Sequence, residues 1–142
     1  MRTITSQKLA KSENFMGNIE KLTINNTDYR RVLFTAANNQ LVLMSLQPGE
    51  EIGAETHNLD QFFRFESGNG KVIMDGKEHV VSDGDAVIIT QGTHHNIINT
   101  SSTQSLKLYT LYSPPNHQKN VTHKTKDNIK EEPFDGSIGK PS

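Results

Sequence analysis

The chain has 142 residues, no cysteine and a formal net charge of −1. That length suits one domain with one core. The missing cysteines exclude disulfides and thiolate metal sites, and the near-zero charge leaves no bulk electrostatic pull toward nucleic acid or membrane. No apolar run approaches the roughly 20 residues of a membrane span, and residues 1–15 lack the apolar centre of a secretory signal. A cytoplasmic, soluble protein is expected.

Residues 1–17 are polar and form an N-terminal segment, with a short turn or helix over residues 6–11. Residues 18–24, NIEKLTI, alternate and read as an edge strand. RRVLFTA at 30–36 is β-branched and aromatic enough for a strand, and Asn38-Asn39 is a turn signal. QLVLMSLQ at 40–47 completes a hairpin and is apolar on both faces, so an N-terminal strand or a second subunit should cover its outer side. A homodimer is expected on that ground.

A short strand carries Glu55 and His57, and residues 61–66 form the next. Residues 71–74 and 77–81 flank Asp75-Gly76, a type I′ hairpin signal. Residues 85–90, 94–100 and 105–112 supply the last three strands, the first of them reading as buried. Ten short strands without a long helix imply an all-β sandwich or closed barrel. From Ser113 the chain turns rich in Pro, Lys, Asn and Asp, with too few apolar residues to fold alone. The domain therefore spans residues 18–115, and residues 116–142 form a polar tail, draped over it or disordered.

The chemistry concentrates in residues 49–70 and 84–99. Glu55 and His57 stand at i and i+2, so on a strand they share a face. Gln61 follows, and His95 comes from the second stretch. One carboxylate, two imidazoles and an amide oxygen suit a divalent transition metal: Fe, Mn, Zn or Ni. His79 and His94 lack partners of this kind and read as ordinary strand residues. His117 and His123 lie in the polar tail and read as surface residues, next in line as ligands if His57 and His95 are not. Phe63 and Phe65 share parity with Gln61 and line the interior as core. Tyr109 and Tyr112 face opposite sides, and Arg64 and Lys107 point to solvent.

The two stretches resemble the two motifs of the cupin superfamily. Gly49, Glu55, His57, Gln61 and Gly68 keep the spacing of the first; Gly84, Thr90, Gly92, His95 and Asn99 keep that of the second. Three identities depart: Glu55 replaces a histidine, Gln61 a glutamate and Thr90 a proline. The resemblance implies a double-stranded β-helix, the jelly-roll barrel, with a metal held by Glu55, His57, Gln61 and His95, where Gln61 either adds an oxygen ligand or stands further out and hydrogen-bonds a bound water. Small single-domain members, some labelled mannose-6-phosphate-isomerase-like, are the most similar.

Exchanging glutamate for Gln61 keeps an oxygen donor but removes a charge. Glu55 is then the one anionic ligand, and a divalent ion keeps a net positive charge that favours anionic or enolisable small molecules. Three functions follow. The first is a metal-dependent isomerase or lyase of sugar-like or keto substrates, with Glu55 or a bound water moving protons. The second is an Fe(II) dioxygenase, and the third a non-catalytic small-molecule-binding module. Fold does not choose among them.

Overall fold

The strands of this computed structural model, which describes residues 13–128, build two antiparallel sheets. In chain order the elements are helix α1 (Ile19–Asn25) and strands β1 (Arg30–Thr35), β2 (Gln40–Leu46), β3 (Asp60–Ser67), β4 (Asn69–Met74) and β5 (Lys77–Ser82). They continue with β6 (Ala86–Ile89), β7 (His95–Asn99), β8 (Leu106–Ser113) and β9 (Thr122–His123). One sheet has six strands in the order β6-β3-β8-β2-β1-β9, the other three in the order β5-β4-β7. The strand spacing implied a sandwich or barrel, and this is the jelly-roll form of it that the resemblance implied.

Period-two patterning decides what lies between the sheets. On β8, Leu106, Leu108, Thr110 and Tyr112 are buried while Lys107, Tyr109 and Leu111 are half-buried on the other face. On β3, Gln61, Phe63 and Phe65 point inward and pair in register with Tyr112, Thr110 and Leu108. Val72 and Ile97 close the core from the smaller sheet. Phe63 and Phe65 are fully buried, and each contributes on the order of 1.5–3 kcal/mol of transfer free energy.

The turns follow their residues. Asp75 and Gly76 both have positive φ, 48° and 85°, as a type I′ turn demands. Gly68, between β3 and β4, has φ of 113°, and a Cβ there would lie 2.7 Å from the Ser105 carbonyl oxygen. Both its conformation and its neighbour exclude a side chain.

Several expectations are corrected. NIEKLTI is not an edge strand: Ile19–Asn25 is helical. Its Asn18 cap accepts from the Lys21 amide at 3.0 Å, and Glu20 sits in the first turn. Ile19, Leu22, Thr23 and Asn26 are its less exposed positions, the i, i+3, i+4, i+7 stripe of a helix. The outer face of β2 is therefore met by α1, which packs across β2, β3 and β8. Lys107 and Arg64 do point outward, but under this helix Lys107 is half-buried. It donates to the Asn26 carbonyl at 2.6 Å and the Ser45 hydroxyl at 3.1 Å. Glu55 and His57 lie in isolated bridges rather than a continuous strand. Residues 86–89 are mostly exposed, because β6 is a sheet edge. The turn or helix expected over residues 6–11 lies outside the described residues.

The largest correction concerns His117 and His123, in the described part of the tail. After β8 the chain returns as a strap to the start of β2 and then to β1. Gln40, fully buried on β2, receives the amides of Asn116 and His117 on its Oε1 at 3.0 and 2.9 Å, and its Nε2 donates to the His117 carbonyl at 2.7 Å. The strap then pairs β9 with β1, setting His123 opposite Arg30. His117 and His123 are both 6% exposed, so neither is a surface residue.

Candidate metal centre

Glu55 and His95 pair as an isolated antiparallel bridge, each amide donating to the other's carbonyl at 2.8 and 2.9 Å. Directly opposed residues share a face, so their side chains project together. His57, two residues on, joins them through an Nε2–Glu55 Oε1 contact of 2.9 Å. The ligand atoms of Glu55, His57 and His95 lie within 4.8 Å of one another. The Gly92 amide, bonded to the His57 carbonyl at 2.9 Å, ties the loop before β7 to this strand.

Gln61 reaches the same interior from β3. Its Nε2 donates to the Thr110 hydroxyl at 3.0 Å, leaving Oε1 buried with no partner. The Tyr112 ring beside it meets the His57 ring edge-on, centroids 6.1 Å apart.

Do these residues fit a metal? His95 Nδ1 bonds the Thr93 carbonyl at 2.9 Å, so that nitrogen carries the proton and Nε2 presents its lone pair. A backbone carbonyl fixing one imidazole nitrogen is the usual support of a metal-ligating histidine. His95 Nε2 and Gln61 Oε1 are buried acceptors without a hydrogen-bond partner, and His57 turns its Nε2 to the Glu55 carboxylate. Unmade bonds of buried polar groups cost about 1–3 kcal/mol each, and an ion would satisfy such acceptors. The donor set therefore fits a divalent ion held by Glu55, His57 and His95, with Gln61 as a neutral oxygen donor beside them.

Electrostatics agree. Burial pushes the Glu55 carboxyl up, but the His57 hydrogen bond and the charges of His57, Arg30 and His95 outweigh it and hold it below its ordinary value. Burial holds the His95 imidazole below its ordinary range despite the Thr93 carbonyl and Glu55. Both therefore favour the forms a metal needs, carboxylate and neutral imidazole.

Residues 42–112 match the cupin domain family. The chain is a cupin. It is 45% identical over 119 residues to the uncharacterized protein YrkC of Bacillus subtilis, covering 79% of this chain and 63% of that protein. It is 44% identical over 108 residues to the uncharacterized protein L612 of Acanthamoeba polyphaga mimivirus, covering 72% and 67%. The cupin thus spans 63% and 67% of the length of these relatives. It superposes on the crystal structure of BH2720 from Bacillus halodurans with a TM-score of 0.79 at 42% identity, over 83% of this chain and 94% of that one.

The sequence reading missed a second group of side chains in this cupin. Arg30, Tyr112, His117 and His123 are all buried. His117 Nε2 lies 3.2 Å from the Tyr112 hydroxyl, the rings edge-on at 5.1 Å. The signal for Arg30 was parity: it shares the inward face of β1 with Val32, where a charge is out of place. No local signal marked the strap histidines. His79 and His94 are exposed and outside the cluster; His94 precedes β7 rather than lying on a strand, and its Nδ1 contacts the Thr56 hydroxyl at 3.0 Å.

Burial, with the Arg30, His57 and His123 charges, drives the His117 imidazole down to about 2. The folded state thus holds it neutral, while the unfolded chain binds a proton below about 6.5. Its contribution to stability is complete above pH ~6.5 and is lost as pH falls toward the folded value, by up to about 1.4 kcal/mol per pH unit. His95 and His123, also shifted down chiefly by burial, act in the same direction. Urea unfolding from pH 7 to 4 should show stability falling with acid, and His117→Gln should reduce that slope by about one proton. An unchanged slope in the variant would refute the assignment.

Proposed function

We propose that this cupin is a metal-dependent enzyme acting on a small polar, sugar-like or keto substrate, with chemistry of the isomerase or lyase type. The cluster of half-buried Glu55 with buried His57 and His95, the histidines carrying unpartnered ring nitrogens, supports it. Three protein ligands and a neutral amide leave positions for substrate, whereas structural sites are closed.

A bound divalent ion would polarise a substrate oxygen and stabilise negative charge on it. The protein's own groups do the rest. Glu55 stays ionised and can accept a proton from the substrate carbon or from water. The Tyr112 hydroxyl, raised by burial and kept protonated, belongs to a ring that meets His57 edge-on, and it lies 3.2 Å from His117 Nε2. It can hold a proton for a substrate oxygen. Leu59, Phe63 and Ile97, all buried nearby in the core, limit access of bulk water.

The same two imidazoles and one carboxylate suit an Fe(II) dioxygenase equally well, and one experiment separates the readings. The protein is loaded anaerobically with Fe(II), Mn(II), Ni(II) or Zn(II) and given sugars, keto acids and diols with and without O2. Turnover under argon with Mn(II) or Zn(II) is the expected result. Oxygen uptake confined to the Fe(II) form would replace it with the dioxygenase. Tight binding without turnover in every form would leave a binding module.

A further inference from the structure

Arg30 opens β1 on its inner face, its Cα opposite Met44 on one side and His123 on the other. Its residue is only 6% exposed, with the guanidinium 5.2 Å above the Tyr29 ring. Among the described residues no carboxylate lies within ion-pair distance of it, and its Nε is buried with no hydrogen-bond partner. Buried charges are ordinarily paired, because desolvating a lone cation is expensive. The Tyr29 ring offers only a partial substitute.

The surroundings are in the same condition. His117 Nδ1, His123 Nδ1 and Asn116 Oδ1 are also buried and unpartnered. When the Tyr112 hydroxyl donates to His117 Nε2, the imidazole proton sits on Nδ1 and is a free donor. Thr23 and Arg64 aside, every buried side-chain polar atom without a partner among the described residues belongs to this group or to the metal cluster. The two groups adjoin: the Tyr112 ring lies 6.1 Å from that of His57 and 5.1 Å from that of His117, and Arg30 pairs in register with His123 of the same strap.

Resting on the metal reading above, we propose that Arg30 binds a carboxylate of the substrate, with the strap residues His117 and His123 as neutral donors beside it. The substrate is then a small oxo- or hydroxy-acid, its oxygen toward Glu55, His57 and His95 and its carboxylate on Arg30. A planar guanidinium fork matches a carboxylate in two parallel hydrogen bonds. One guanidinium among neutral imidazoles answers a single negative charge, which favours a carboxylate over a phosphate dianion.

The test is calorimetric titration of the full chain, metal-free and Zn(II)-loaded, with pyruvate, its neutral analogue hydroxyacetone, and inorganic phosphate. Pyruvate should bind both forms, tighter with zinc, and hydroxyacetone at least about 30-fold more weakly. Arg30→Met should lose at least about 30-fold in pyruvate affinity while binding zinc in unchanged amount. Arg30→Lys, which keeps the charge but not the fork, should lie between them and serves if the methionine variant fails to fold. Undiminished pyruvate binding in Arg30→Met, phosphate binding tighter than pyruvate, or no pyruvate binding by either wild-type form would each overturn the proposal. Failure of the metal reading is seen separately, as absence of zinc from the wild-type protein by elemental analysis, with the metal-free titrations still reporting on Arg30.

Discussion

His57→Ala and His95→Ala should each abolish stoichiometric divalent metal while leaving the sandwich folded. Losing a partner that merely orients a ligand costs roughly 10–100-fold in affinity, and removing one of three ligands should exceed that. The fold tolerates the change because the core is built elsewhere, by Phe63, Phe65, Leu106 and Leu108. His95 Nε2 and His57 Nδ1 have no partner. Deleting them removes a polar penalty of about 1–3 kcal/mol, which offsets much of the cavity left behind. Elemental analysis after equilibration with Zn(II) or Mn(II), beside circular dichroism, decides the matter. Wild-type metal in either variant would place the ion elsewhere in the molecule.

Asn99→Ala should be the most damaging single change to stability, and it should spare the metal. Asn99 ends β7, is 1% exposed, and its Nδ2 faces the carbonyls of Leu46, Gln47 and Gln104 at 3.0, 3.1 and 2.9 Å. Its Oδ1 accepts the Ser101 amide at 2.9 Å. One side chain thus joins the end of β2 in the large sheet, the end of β7 in the small one and the loop leading to β8. Alanine leaves those backbone groups without it. At about 1–3 kcal/mol for each buried group left unpaired, part of it recovered by water, the loss should be ~3–5 kcal/mol. That is a large share of a typical domain stability of about 5–15 kcal/mol. Urea unfolding measures it, and a loss below about 1 kcal/mol would show that the network is dispensable. Asn99→Asp should do no better, since a carboxylate would face three carbonyl oxygens.

The two predictions separate the roles within one motif. His95 and Asn99 stand four residues apart on β7, and both are buried. The histidine carries an unpartnered acceptor toward the metal cluster, whereas every polar atom of the asparagine side chain is used. Spacing alone does not distinguish a residue kept for chemistry from one kept for architecture. Hydrogen-bond accounting does.

What the sequence by itself determined is the local and repetitive part. Alternation is a two-residue property, so the shared face of Glu55 and His57, the inward parity of Gln61, Phe63 and Phe65, and the opposed directions of Tyr109 and Tyr112 could all be read along the chain. Asp75-Gly76 specified its own turn through backbone sterics. The two spaced motifs carried enough of this pattern to indicate the jelly roll and the convergence of Glu55, His57 and His95. Only the tertiary structure decided the rest. NIEKLTI satisfies the period of a strand and of a helix, and the Asn18 cap with a sheet face to pack on selects the helix. The strap returns through buried bonds between Gln40 and residues 76 and 77 positions away, and through a two-residue strand too short to show any period. Parity with Val32 marks Arg30 as an inward charge but does not say what meets it. Its isolation becomes visible only when β9 closes over it and among the described residues no carboxylate comes to meet it.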